Sequence, residues 1–201
     1  LSPADMSGKN LCPNSSPGCV AACLNTAGRG AFNSVQAGRA MRTAKFHADR
    51  ARFIARLDFE IARGIRSARR AGMRVTVRLN GTSDLAWEKI APGLFSKYRG
   101  AATFYDYTKD AARAARAEYN LTFSRAEHND AAARGVLASG GNVAVAFAVK
   151  RGAPLPQSWE GYPVIDGDEH DLRFLDPRGV VVGLRAKGKA RADASGFVVA
   201  A

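Results

Sequence analysis

The chain has 201 residues, of which 46% are hydrophobic and 24% charged. That size and apolar content allow one domain with a substantial core, so we expect a single domain over residues 1–201. No stretch approaches the roughly 18 apolar residues of a membrane-spanning helix, and no basic and apolar secretion signal opens the chain. We therefore expect a cytoplasmic protein. Because the chain begins at Leu1 rather than at methionine, we also expect that an N-terminal strand could be missing.

The net charge is +12, from thirty Lys and Arg against eighteen Asp and Glu. A field of this sign attracts polyanions and makes their binding salt-dependent, which predicts nucleic acid or a nucleotide as the partner. One basic cluster, Arg185, Lys187 and Lys189, follows a predicted strand and is interpreted as a contact for a phosphate backbone. The alternative, that the arginines only solvate helix faces, stays open.

All three cysteines lie within residues 12–23, with six residues between Cys12 and Cys19 and three between Cys19 and Cys23. An odd number of thiols in so short a segment favours a shared metal over a framework of disulfide pairs. Three thiolates can hold three irons of a four-iron, four-sulfur (4Fe-4S) cluster and leave the fourth iron open. Zinc completed by a histidine, or thiols without metal, remain alternatives.

Helical periodicity follows over residues 33–70, with a break near Asp49. An apolar stripe there, Phe53, Leu57, Ile61 and Ile65, is expected to face a core. Ser83 or Asp84 is expected to cap a further helix that continues through Ile90. Strands are predicted over residues 73–79, 102–107, 120–124, 142–149, 162–165 and 180–184, and further helices over residues 109–119 and 131–139.

This alternation of helices and strands predicts an α/β fold: a parallel sheet, arranged as a partial (βα)₆ barrel, with outer helices and an N-terminal cysteine loop. Polar residues follow several predicted strands, and the C-terminal ends of parallel strands share one edge. We therefore predict a pocket there, in which Asp84, Asp106 and Lys109 are the catalytic candidates. Candidate ligand-binding residues at the same strand ends are Asn80, Gly81, Thr82, Ser83, Ser124 and Arg125.

Several phrases of the sequence, among them Gly18-Cys-Val-Ala-Ala-Cys23, Leu79-Asn-Gly-Thr-Ser-Asp84 and Phe104-Tyr-Asp-Tyr-Thr-Lys109, resemble short phage and prophage three-cysteine proteins of unassigned function. The order of cysteine loop, long helix and βα units also resembles the radical S-adenosylmethionine fold. The first resemblance implies a phage-associated protein in the host-cell cytoplasm. The second rests on the order of elements and the cysteines alone.

The resemblance to radical enzymes implies specific roles for these residues. Cys12, Cys19 and Cys23 would be the cluster ligands, and S-adenosylmethionine would chelate the open iron and release a 5′-deoxyadenosyl radical on reductive cleavage. Residues 80–84 occupy the position of that family's glycine-rich cofactor contact, although their sequence does not match it. The chain departs from the family in its wider cysteine spacing and in having Ala22, not an aromatic residue, before Cys23.

Two further functions remain open. One is a phage DNA base-modifying enzyme similar to 7-deazaguanine transglycosylases, with zinc on the thiols and with Asp84 and Asp106 as nucleophile and acid–base groups. The other is a non-catalytic nucleic-acid-binding protein with a structural metal. No phosphate-binding P-loop, nucleophile elbow or His-Glu-x-x-His motif is present, which disfavours the commonest NTPases, hydrolases and metalloproteases.

Overall fold

The computed structural model describes residues 1–4, 6–116 and 119–201 and is built around one seven-stranded sheet. In chain order the strands are β1 (Val75–Val77), β2 (Ala102–Thr108), β3 (Asn120–Ser124), β4 (Val143–Phe147), β5 (Ser158–Trp159), β6 (Tyr162–Asp166) and β7 (Val181–Arg185). They pair in the order β1-β2-β3-β4-β7-β6-β5. Every neighbouring pair is parallel except β5 with β6.

Helices connect and flank these strands. They are α1 (Pro17–Ala21), α2 (Asn33–Ala48), α3 (Arg50–Arg70), α4 (Trp87–Ile90), α5 (Pro92–Lys97), α6 (Ala111–Arg116) and α7 (Asp130–Ala138). The predicted break near Asp49 is confirmed: Asp49 is the N-cap of α3, and its carboxylate accepts a hydrogen bond from the Arg52 amide at 2.9 Å. None of the helices in the described part of the chain is long and apolar enough to cross a membrane.

Two apolar clusters hold the helices to the sheet. The first joins α2, α3, α4 and α5 to β2 through Phe46, Ile61, Trp87, Phe95 and Phe104. The second joins α7 to the central strands; its fully buried members are Phe123, Ala133, Val143, Val145 and Val181. The predicted stripe on the long helix therefore faces the core, with Ile61 and Ile65 each only 6% exposed.

The predicted α/β class, with a mostly parallel sheet and outer helices, is confirmed, and the sheet is open rather than a closed barrel. Its order departs from a barrel after β4, because β7 lies between β4 and β6. The connection from β6 to the parallel β7 spans residues 167–180, long enough for a crossover. β5, for which no strand was predicted, pairs with β6 through a hairpin whose turn residues Glu160 and Gly161 have φ of 51° and 82°. Two positive φ values match the tight turn that hairpin twist favours.

Several predicted boundaries change. Strand β1 is shorter than predicted, and the helix predicted over residues 109–119 is observed as α6, with residues 117 and 118 outside the described residues. The predicted helix cap at Ser83 or Asp84 is wrong. The N-cap of α4 is Ala86, without a side-chain hydrogen bond, because Ser83 and Asp84 have other partners, described below.

Candidate functional site

A cavity of about 460 Å³ opens at the C-terminal edge of the sheet. Residues at or after the ends of β1, β2, β3, β6 and β7 line it, together with the N-terminal segment. Fifteen residues were predicted to have a functional role, three of them as a separate nucleic-acid contact. Thirteen of the fifteen line this cavity: Cys12, Cys19, Cys23, Asn80, Gly81, Thr82, Ser83, Asp84, Lys109, Ser124, Arg125, Arg185 and Lys187. Asp106 and Lys189 do not. The parallel strands thus bring together residues that lie far apart in sequence.

The N-terminal segment is hydrogen-bonded to the loop after β1. The Asp84 amide donates to the Leu11 carbonyl at 2.8 Å, and the Cys12 thiol donates to the Thr82 carbonyl at 3.4 Å. The Thr82 hydroxyl donates to the Leu1 carbonyl at 2.9 Å. Leu11 is only 1% exposed, so apolar burial adds to these bonds. The cysteine segment therefore covers the strand ends as part of the cavity wall.

Glu127, just after β3, holds helix α1 in place. Its carboxylate accepts from the Ser16 hydroxyl at 2.6 Å and from the Gly18 amide at 2.8 Å. Burial alone would raise the pKa of Glu127, but these hydrogen bonds outweigh it and the pKa is lowered. A Cβ on Gly18 would lie 2.8 Å from Glu127 Oε1, which explains the glycine at this close approach. The Ser16 hydroxyl in turn accepts from the Cys19 amide at 3.0 Å.

Two of the three sulfurs accept hydrogen bonds from backbone amides. Cys12 Sγ accepts from the Ala4 amide at 3.2 Å, and Cys23 Sγ from the Asn25 amide at 3.5 Å. Burial raises the pKa of both thiols, the amide hydrogen bonds oppose that rise, and the neighbouring Cys19 adds to it. Within the described ranges, no group of three or more His, Cys, Asp or Glu side chains is placed to hold a metal ion. The three thiols all line the one cavity.

Asn80 and Asp106 form a buried pair beneath the cavity wall. The Asp106 carboxylate, which is 0% exposed, accepts from the Asn80 amide at 2.9 Å and from the Asn80 side chain at 3.4 Å. The Asn80 side-chain oxygen accepts from Ser83, from the Leu85 amide and from the Trp87 indole. Burial raises the pKa of Asp106 to about 7. The side-chain hydrogen-bond partner of Asp106 is therefore Asn80, which it positions.

Asp84 is bound on both carboxylate oxygens. One accepts from the Lys109 amide at 2.9 Å, and the other pairs with the Arg113 guanidinium at 2.9 Å. Arg113 also pairs with Glu88 at 2.7 Å and donates to Thr108 at 2.9 Å. Asp84 therefore fastens the loop after β1 to the end of β2 and to α6.

Lys109 and Arg125, both predicted for the site, are used differently. Lys109 Nζ donates to the Ser124 hydroxyl at 3.0 Å and makes no ion pair with any described residue. The Arg125 guanidinium pairs with Asp130 at 2.6 Å and donates to the carbonyls of Gly196 and Phe197. Lys109 thus offers a cation to the cavity, whereas Arg125 fastens the C-terminal segment to the end of β3.

The cluster predicted for phosphate contact is largely neutralised by carboxylates. Arg185 pairs with Asp166 at 2.8 Å and with Asp168 at 3.2 Å, and Lys187 pairs with Asp168 at 2.6 Å. Lys189 is exposed and lies outside the cavity. Two of the three cations therefore have internal partners, which weakens this segment as a nucleic-acid contact.

Sequence reasoning missed two parts of the site. Arg113 looked like one more arginine of an alanine-rich helix. Asp171, in the connection after β6, pairs with Arg78 at 2.6 Å and accepts from the Tyr107 hydroxyl at 3.3 Å. The Arg78 guanidinium also lies over the Tyr107 ring, 4.6 Å from its centroid. No local pattern in the sequence pointed to Asp171.

The fold and the cavity together define an α/β protein with an open, mostly parallel sheet and a cysteine-lined cavity at the C-terminal edge of its strands. The chain belongs to the Gene product 88 family, a phage-type family whose model matches residues 1–201. The resemblance to short phage proteins is thereby confirmed at the level of the family. Searches of curated proteins and of solved structures found no match.

Proposed function

We propose that this protein is an iron–sulfur enzyme of the radical S-adenosylmethionine type, acting on a nucleic acid or nucleotide. The observation that carries the proposal is the shared cavity. Three cysteines from one short segment line it together with polar residues from the ends of parallel strands. In α/β folds this edge is where ligands bind.

The residues present fit a group that takes three thiolate ligands. Cys12, Cys19 and Cys23 would hold the cluster. The amides of Ala4 and Asn25 already donate to two of the sulfurs. Hydrogen bonds to ligand sulfurs are among the features by which a protein tunes such clusters. Burial raises the pKa of the Cys12 and Cys23 thiols, so a bound cation is what would make these sulfurs thiolates at neutral pH.

The number of thiols favours a cluster. Three thiolates can hold three irons of a four-iron, four-sulfur cluster and leave the fourth iron open for a further ligand. The cavity of about 460 Å³, which all three cysteines line, has room for such a group.

The other cavity residues have roles suited to a charged organic cofactor. Bound cofactors of this type supply one-electron chemistry that side chains lack. Lys109, with Ser124 as its neighbour, would bind a carboxylate. Asn80, held by Asp106, Ser83 and Trp87, fixes the loop of residues 80–84 against the cavity. The net charge of +12 supports an anionic substrate such as a nucleic acid or nucleotide.

The transglycosylase alternative receives less support. Its acid–base candidate Asp106 does not line the cavity, and its nucleophile candidate Asp84 already holds the Lys109 amide and the Arg113 guanidinium.

Anaerobic reconstitution with iron and sulfide tests the proposal. We expect a brown protein with about four irons per chain. Visible absorbance should disappear in the Cys12→Ser/Cys19→Ser/Cys23→Ser variant. Ser15→Ala, which changes another cavity residue and keeps all three thiols, should load iron like the wild type. A colourless protein that binds one zinc, or iron uptake that survives the triple substitution, would overturn the proposal.

A further inference from the structure

Helix α3 carries a straight row of arginines along its outer side. Arg52, Arg56, Arg63, Arg66 and Arg70 follow one another at spacings of three, four or seven residues and are all exposed. At 3.6 residues per turn their directions fall within about 80° of each other, and the row is about 27 Å long. We call these five residues the α3 arginine row. The opposite side of the helix buries Ile61, Ile65 and Ala68, so the row points away from the core.

The surrounding carboxylates leave this row mostly charged. Residues 33–74 contain eleven Lys and Arg and only three Asp and Glu, a net +8 out of the chain's +12. Asp49 caps α3, and Asp58 binds Lys97 and Tyr98. Among the residues that the structure describes, only Glu60 pairs with a member of the row, Arg56, at 2.7 Å, and both side chains are more than half exposed. An exposed pair of this kind is weak and exchanges readily with a competing anion.

We infer that the α3 arginine row docks on the phosphate backbone of a double-stranded nucleic acid. Its length approaches one helical turn of duplex, about 34 Å, and arginine guanidinium groups bind phosphates in bidentate fashion. The row presents no set of amide or hydroxyl side chains for reading bases, so the binding it supports is independent of sequence. A bilayer surface does not fit, because the apolar side of α3 is already buried in the core and Phe59 is the one large apolar side chain exposed along the helix.

This inference does not rest on the cavity or on its proposed cofactors. It also assigns nucleic-acid contact to a surface other than the cluster at residues 185–189, whose cations are partly paired with Asp166 and Asp168. A protein without any cluster would still bind through α3, so the two proposals fail separately.

Fluorescence anisotropy with a labelled DNA duplex of about 20 base pairs, two helical turns, tests the inference. The row variant is Arg52→Gln/Arg63→Gln/Arg66→Gln/Arg70→Gln. The control is Arg29→Gln/Lys89→Gln/Arg99→Gln/Lys150→Gln, which removes the same charge from exposed positions elsewhere. Glutamine is nearly as good a helix former as arginine, so circular dichroism and Tm should stay near wild type.

The row variant should bind the duplex at least about tenfold more weakly than the control. The slope of log K against log salt should also fall by about 3 to 4, since each lost phosphate contact contributes about 0.9. Equal affinities and slopes for the two variants would refute the inference. So would equally tight, row-dependent binding to polyglutamate or to anionic vesicles, which would show a surface for acidic proteins or for membranes instead.

Discussion

At the scale of single residues, the pairing of Asp106 with Asn80 organises the wall of the cavity. A charged carboxylate that is not exposed to water raises the free energy of the folded state, and the group that donates hydrogen bonds to Asp106 is the uncharged Asn80 rather than a cation. The pair therefore positions Asn80, and burial makes the Asp106 carboxyl harder to ionise. The sequence indicated a strand-end asparagine and an aspartate on a neighbouring strand, but not that one would support the other.

This pairing makes stability depend on pH in a definite direction. Burial raises the pKa of Asp106 from 3.8 to about 7, so the folded state holds its proton more tightly than the unfolded state. The contribution to the free energy of unfolding is complete below about pH 4 and is lost as the pH rises to about 7, by up to about 4 kcal/mol.

We expect that Asp106→Asn removes this dependence and keeps an acceptor for the Asn80 amide. Urea unfolding from pH 4 to 8 should therefore show the wild type losing stability relative to the variant as pH rises. The exposed carboxylate of Glu169 provides a comparison: Glu169→Gln should track the wild type across the range. Curves for wild type and Asp106→Asn that run parallel would show that Asp106 titrates normally.

At the scale of elements, α1 is too short to be stable alone and depends on Glu127. We expect Glu127→Gln to weaken the hydrogen bonds from Ser16 and Gly18 by about 1–2 kcal/mol, enough for roughly tenfold more frequent local opening. Thiol reagents should then modify the cysteines about tenfold faster under native conditions. Glu169→Gln is again the matched control. Unchanged labelling kinetics in Glu127→Gln would mean that other contacts hold α1.

Periodicity predicted most of the longer helices and strands, because it reports burial along one segment, but it missed short elements such as α1, α5 and β5. The stripe of α3, the break at Asp49 and the apolar run of β4 were all readable in this way. Contacts between residues of different segments could not be predicted in this way. Arg125 occupies a strand end that the sequence assigned to ligand binding, yet its guanidinium binds Asp130 and the C-terminal carbonyls. The position of a residue along a strand predicts where its backbone lies in the fold. It does not predict which other residue its side chain will bind.

At the scale of the whole molecule, most individual strands were predictable from the sequence, but their order in the sheet was not. The first four strands pair in sequence order because each βα unit returns beside its predecessor. After β4 the hairpin of β5 and β6 lies at the far edge, and β7 enters between β6 and β4. Nothing local to these short apolar runs distinguishes this order from a continuing barrel. The C-terminal ends of the parallel strands nevertheless meet at one edge in either arrangement, so the cavity residues were predictable although the strand order was not.

Arg113 connects more of this architecture than any predicted site residue. From α6 it binds Asp84 in the loop after β1, Glu88 in α4 and Thr108 at the end of β2. The side chains of Arg113, Asp84 and Glu88 are only 7%, 11% and 16% exposed. Removing the guanidinium would leave two largely buried carboxylates without their cation, which typically costs about 3–5 kcal/mol.

We therefore expect Arg113→Met to lower the free energy of unfolding by about 3–5 kcal/mol, while Arg134→Met on α7 lowers it by no more than about 1 kcal/mol. Arg134 makes an exposed pair with Glu160 at 3.5 Å, where solvent screens the interaction. Urea unfolding can be followed by the fluorescence of Trp87, which is 2% exposed and donates to Asn80. Arg113→Met/Asp84→Asn/Glu88→Gln should recover part of the loss, because it removes the stranded charges. Equal losses for the two arginine variants would show that Arg113 does not couple these elements.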